Sequence, residues 1–254
     1  MREIVFIMRL RSGSSLVMKK AFSLIELIFV LIIIGVLSAI MLPSIKTNPL
    51  DEAAIQLLTH IRYTQHLAMI DDRYNVDRID SNNGDIIWYK ERWQLVFSKS
   101  DFTDNEEAYT IFSDTAGNST GDASASEIAI NPQNTNQIMT GGYGETKAID
   151  IRDKDGFKGM QSLNIGKKYG ISEVTLSGGC SHNRISFDYL GRPFTGKQSS
   201  MHSPYNIGGT QRLIHTDEGC KITLTHSSGK TVSLKIRRET GFTCILQDTS
   251  EECQ

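Results

Sequence analysis

From Phe22 to Leu42 the chain is an apolar run in which Glu26 is the one charge. As a helix with ~1.5 Å rise per residue, about 20 such residues match a ~30 Å hydrocarbon core. Gly35 and Pro43 are weak points of this helix, because Gly costs backbone entropy and Pro a hydrogen bond. Asn48-Pro49-Leu50-Asp51 reads as a helix restart with an acidic first turn. Ala54, Ile55, Leu58, Ile61, Leu67 and Ile70 then recur at helical spacing, with Gln56, Arg62 and Gln65 between them. This predicts an amphipathic helix to about Met69 whose apolar face packs on the domain behind it.

Beyond Asp71-Asp72 the period changes. Ser81-Asn82-Asn83-Gly84-Asp85 is a turn cluster, and short alternating runs follow it. Strands are expected at Arg92 to Ser98, Ala108 to Phe112, Ile128 to Ile130, Ala148 to Ile151 and Val174 to Leu176. Asn183 to Tyr189 reads as a further strand, ending at Leu190-Gly191-Arg192-Pro193. Lys221 to His226 and Lys230 to Arg237 flank Ser227-Ser228-Gly229 as a hairpin, and Phe242 to Leu246 adds another strand. Asn134 to Gly144 and Gly196 to Gly209 read as loops. The expected organisation is a leader over 1–21, a membrane helix over 22–45, an amphipathic helix over 46–70 and a β-rich domain over 71–254.

Charge places the ends. The segment through Ala21 holds five of the 27 Lys/Arg and one of the 29 Asp/Glu, leaving 22 bases and 28 acids, a formal charge of −6. That balance does not suggest a general nucleic-acid binder. All five leader bases precede the apolar run, so the N-terminus is expected in the cytoplasm and the rest exported. Met18 is a natural start, which makes the first seventeen residues an expected annotation artefact, with a long leader as the alternative.

Lys19-Lys20-Ala21-Phe22-Ser23-Leu24-Ile25-Glu26, with the apolar run behind it, resembles the N-terminus of the type IV pilin superfamily. The resemblance implies that a prepilin peptidase cuts between Ala21 and Phe22, that Phe22 is N-methylated, and that Glu26 serves assembly. The family usually has Gly before the cut; here it is Ala21. The new amine and Glu26 lie one helical turn apart, so the Glu26 carboxylate of one subunit is expected to meet the Phe22 amine of a neighbour. A plain signal anchor and a secretory signal peptide are the competing readings; the run is longer than the ~7–15 residues of the latter.

The tail adds a second likeness. Ile185-Ser186-Phe187-Asp188-Tyr189-Leu190-Gly191-Arg192-Pro193, then the hairpin, then Glu239-Thr240-Gly241, is similar to the GspH/FimT-like branch. Ile111-Phe112-Ser113-Asp114 with Gly117-Asn118 also looks like a segment of it. The implied fold is α+β, the pilin fold, with a long N-terminal helix, transmembrane and then amphipathic, packed on antiparallel β-sheets. The implied function is a minor pseudopilin of type II secretion, in a periplasmic filament; a FimT-like minor pilin for pilus assembly or DNA uptake is the alternative. The implied partners are the prepilin peptidase, other pseudopilins or pilins, and the inner-membrane assembly platform.

Four cysteines fall in the exported part, where disulfides persist, and four allow three pairings. Cys180 and Cys220 each introduce a strand, while Cys244 and Cys253 are close in sequence, so Cys180–Cys220 and Cys244–Cys253 are expected.

Candidate chemistry is sparse. Asp150, Asp153 and Asp155-Gly156 resemble a calcium loop but fail its spacing, and Asp114, Asn118 and Asp122 share another polar turn. Solvated turn acids are the expected reading, with calcium the alternative and no cofactor expected. His60 and His66, six apart, do not make a metal pair on one helix face. Ser177-Gly178-Gly179 lacks nucleophile-elbow spacing, and no P-loop or dinucleotide fingerprint occurs. His182, His202, His215 and His226 are scattered. A peptidase substrate is expected, and not an enzyme. Lys235, Arg237 and Arg238, near Lys221 and Lys230, are candidate phosphate contacts; a solvated strand edge is the expected reading.

Overall fold

An apolar helix and a helix laid across two antiparallel sheets account for most of the secondary structure of the computed structural model, which describes residues 23–41, 48–79, 84–115, 120–246 and 253. The fold is α+β. The chain divides into two units, Met1–Thr47 and Asn48–Gln254.

The first unit holds α1 (Leu24–Met41), which runs through Gly35 without a break. Its 18 residues make about 27 Å at ~1.5 Å rise. Among the described residues no helix is long and apolar enough to cross a membrane. Phe22 and residues 42–45 of the expected membrane helix, Pro43 among them, lie outside the described residues.

In the second unit, α2 (Pro49–Ile70) starts where the restart signal placed it. The Asn48 side chain accepts from the Leu50 N–H at 3.3 Å, Pro49 occupies the first turn, and Asp51 and Glu52 face the dipole there. Leu50, Ala53, Ala54, Leu57, Ile61, Thr64 and Ala68 form its buried face. The hydrophobic period places that face partly wrong: Ile55 and Ile70 are 56% and 65% exposed, and Leu58 and Leu67 are half-buried. Leu50, Leu57 and Ile61 carry the contact together with Ala53, Ala54 and Ala68, whose small side chains let the helix approach the sheets closely.

The first sheet has the order β2-β1-β4-β5-β6, from β1 (Trp93–Ser98), β2 (Ala108–Ser113), β4 (Arg184–Phe187), β5 (Pro193–Thr195) and β6 (Arg212–Leu213). The second has the order β3-β7-β8-β9, from β3 (Ile171–Gly178), β7 (Cys220–His226), β8 (Thr231–Ile236) and β9 (Thr243–Ile245). The strand pairings within both sheets are antiparallel. Helix α2 packs on β1 and β4 of one sheet and on β7, β8 and β9 of the other, so it is the element both sheets share. In β7 and β8 the alternation is clean: Ile222, Leu224, Val232, Leu234 and Ile236 are buried, while Lys221, Thr223, Ser233 and Lys235 are partly exposed. In β1 the alternation around Trp93, Leu95 and Phe97 predicts one wet face, yet β1 is buried on both, and Gln94 Oε1 accepts from buried Arg184.

Two predicted strands are absent among the described residues. Ile128 and Ile130 make single bridges, to Phe112 and Ile138. Residues 148–151 form turns, because Thr146 O takes the N–H groups of Ile149 and Asp150, and Asp150 Oδ1 takes that of Arg152. A short helix, α3 (Ile165–Tyr169), is not among the expected elements, although Asn164 caps its start and Gly170, at φ 71°, ends it.

The Asp188–Pro193 motif is the β4–β5 turn. Asp188 Oδ1 accepts from the N–H groups of Leu190 and Arg192, and its Oδ2 pairs with the Arg192 guanidinium at 2.7 Å. Gln65 of α2 donates to Gly191 O at 2.9 Å and to Thr240 O at 2.8 Å. Both tail motifs are thereby stitched to α2 by one side chain. Gly241 has φ 65°, and a Cβ there would stand 2.3 Å from Gly191 O and 2.5 Å from Gln65 Nε2. Gly241→Ala is expected to destabilise the protein by about 2–3 kcal/mol, read by denaturant unfolding, with Gln65→Ala losing about 1–2 kcal/mol.

Candidate functional site

The first candidate site is the start of α1. From Ser23 to Ser38 every residue is exposed, and Glu26 is the one ionisable group among them. Ser23 Oγ accepts from the Glu26 N–H at 3.3 Å, so the serine caps the helix and Glu26 stands in the first turn. Gly35 has open space around it. Ala21 and Phe22, the expected cleavage and methylation positions, lie outside the described residues.

The cysteines form Cys180–Cys220 and Cys244–Cys253, the pairs expected from the sequence. Cys180 follows β3 and Cys220 opens β7, where Gly178 is paired with it, so the first bridge closes one end of that strand pair. The second ties Cys253 to β9, beside a bridge between Leu246 and Cys253.

Acidic groups stand within the basic cluster. Arg238 is paired with Asp217 at 2.7 Å and donates to His215 O. Lys221 and Lys235 are cross-strand partners, and Glu218 joins them in lining a pocket of about 170 Å³. Arg237 is exposed and lies 5.9 Å from the centre of the Phe242 ring.

Among the described residues no group of three or more His, Cys, Asp or Glu is placed to hold a metal ion. Asp150 is engaged by Arg152 at 2.8 Å, and Asp153 accepts from the N–H groups of Asp155 and Gly156, so these acids shape a turn. Asn118 lies outside the described residues. His66 is exposed. His60 is a packing residue: Tyr109 Oη accepts a hydrogen bond from Gln56 at 2.8 Å and shares one with His60 Nδ1 at 2.6 Å. Burial pushes the His60 imidazole down to about 4.

Two buried ionisable groups depart from the sequence reading: Asp114, expected as a solvated turn acid, is buried, and Arg92 has no sequence signal as a buried charge. Arg92, 3% exposed, lies among the Trp88, Phe194 and Tyr205 rings, 4.0 Å from the centre of Phe194, and donates to Pro204 O at 2.7 Å. Burial lowers its pKa to about 10, against the pull of Asp188. Asp114, 2% exposed, accepts from the Gly121 N–H at the end of β2. Burial raises its carboxyl to about 6; that hydrogen bond opposes the rise, and Glu127, Glu91 and Asp122 add to it.

The folded state therefore holds the Asp114 proton more tightly than the unfolded chain. Its contribution to stability is full below about 3.8 and is lost as pH rises through about 6. Asp114→Asn is expected to gain about 1–3 kcal/mol at pH 7.5, a gain almost gone by pH 4. Urea melts of the two proteins at both pH values check this. His60 has the opposite slope, losing stability as pH falls from 6.5 towards about 4, so only the paired comparison isolates Asp114.

Comparison with protein-family models, with curated proteins and with solved structures finds no match for this chain.

Proposed function

We propose that this chain is a minor pseudopilin of a type II secretion system, cleaved before Phe22 and added to a periplasmic filament through its apolar N-terminal helix. The observation that carries the reading is α1. The run from Ser23 to Ser38 is exposed throughout, and apart from Ser23, Glu26, Gly35 and Ser38 it consists of large apolar side chains. Leaving a large aliphatic side chain in water forgoes roughly 1.5–3 kcal/mol, so this helix requires lipid or neighbouring helices around it. Continued by Phe22 and Leu42, the apolar run reaches the length of a hydrocarbon core. Glu26 within it calls for a partner of opposite charge, which a freed Phe22 amine supplies. In support, α2 lies across two antiparallel sheets, and the tail motifs meet on it through Gln65.

The implied setting is the inner membrane, N-terminus inside and sheet domain outside, with the prepilin peptidase, the assembly platform and other pseudopilins as partners. Deleting the gene tests this: export of the secreted enzymes is expected to stop while transformation is unchanged. Normal export with loss of pili or of DNA uptake would place the chain among FimT-like minor pilins instead.

A further inference from the structure

One cleft borders the turn of Asp150, Asp153 and Asp155, with Ile151, Lys154 and Phe157 in its lining. It has a volume of about 680 Å³, and its lining includes Lys154, Lys167, Lys168, Gln137, Gln161 and Phe157. That size is within the ~300–1,000 Å³ of ligand sites. The surrounding segment, 147–168, carries six Lys/Arg against three Asp, although the chain beyond Ala21 is net acidic. Of those three acids, Asp150 is held by Arg152, and Asp153 by backbone N–H groups of its own turn. Lys167 is paired with Asp104, whereas Lys154 and Lys168 have no ion pair among the described residues.

The floor is built at the backbone level. Residues 138–140 and 158–160 run side by side, through Ile138 N–H to Lys158 O at 2.9 Å and Met160 N–H to Thr140 O at 3.0 Å. Between them, Gly159 has no side chain, and a Cβ there would lie 2.3 Å from both the Phe157 ring and Thr140 O. The ring therefore lies over the glycine and presents an apolar surface beside the lysines.

We propose that this cleft binds an extended acidic peptide segment of another protein. The Lys154 and Lys168 ammonium groups are point charges that can meet carboxylates. The Gln137 and Gln161 carboxamides each offer donors and an acceptor, which complements the N–H and C=O groups of a peptide backbone. Phe157 and Ile151 supply apolar contact. Nucleic acid fits less well: the lining holds one aromatic ring for stacking and no arginine. Peptide binding here does not depend on the secretion role.

The test uses the full chain in detergent, with a fluorescein-labelled peptide of alternating Glu and Ser as probe and anisotropy as readout. Binding in the micromolar range is expected, weakened at least ~10-fold by Lys154→Glu with Lys168→Glu, and weakened again by raising salt from about 50 to 300 mM. Both lysines are exposed, so the variant's thermal melt should match the wild type. No binding at millimolar peptide overturns the proposal. So does binding indifferent to the double charge reversal. So does tighter, reversal-sensitive binding of a single-stranded oligonucleotide of equal charge.

Discussion

Under the proposed function, Glu26→Ala is expected to leave the chain in the membrane and to remove it from the filament. Under the proposed function, the carboxylate in the first turn of α1 meets the Phe22 amine of a neighbouring subunit in apolar surroundings. Removing one member of such a pair leaves the other uncompensated, at roughly 3–5 kcal/mol. In subunit affinity that is about a hundred- to several-thousand-fold, enough to stop incorporation. Insertion itself should not become harder, because the substitution removes the one charge of the apolar run. The amount of protein in the membrane fraction is therefore expected to hold while the amount in sheared filaments falls to background. Incorporation at the wild-type level would show that Glu26 has no pairing role.

The second large effect lies in the sheet domain. Cys180→Ser with Cys220→Ser is expected to cost about 4 kcal/mol, because that bridge closes a 40-residue separation. The same model gives about 2.5 kcal/mol for Cys244→Ser with Cys253→Ser, across a separation of 9. Guanidinium unfolding of both variants in detergent gives the ranking. Equal losses, or a larger loss at the shorter loop, would contradict it. Cys180 and Cys220 are both buried, so the serine hydroxyls add to the first cost.

How far the sequence can be read depends on whether a signal is local. The β7–β8 hairpin is legible because Ser227-Ser228-Gly229 separates two alternating runs, and Gly229 takes φ 82°. Helix α2 is legible from its cap and period. Its buried face is legible only in part, through Ala54 and Ile61, because hydrophobicity ranks Ile55 above Ala53, whereas close packing on two sheets favours the alanine. Strands β5 and β6, of three and two residues, are too short to show a period. Residues 148–151 read as a strand by composition, but Asp150 and Thr146 capture the backbone locally. Arg92 is invisible as a buried group, since the rings around it come from positions 88, 194 and 205. The basic cleft is hidden for a related reason. Lys154 stands between two aspartates and Lys167-Lys168 follow 13 residues on, and only the fold brings them to one cleft and shows Asp150 and Asp153 already engaged. At the N-terminus the reverse holds: the motif is entirely local, and Ala21 and Phe22 lie outside the described residues.

The most direct measurement is the mass of the N-terminal peptide of the protein purified from membranes of a host with its prepilin peptidase intact. The proposed function predicts a chain that begins at Phe22, carrying one methyl group on its amine. A peptide still bearing Lys20 and Ala21 would contradict it.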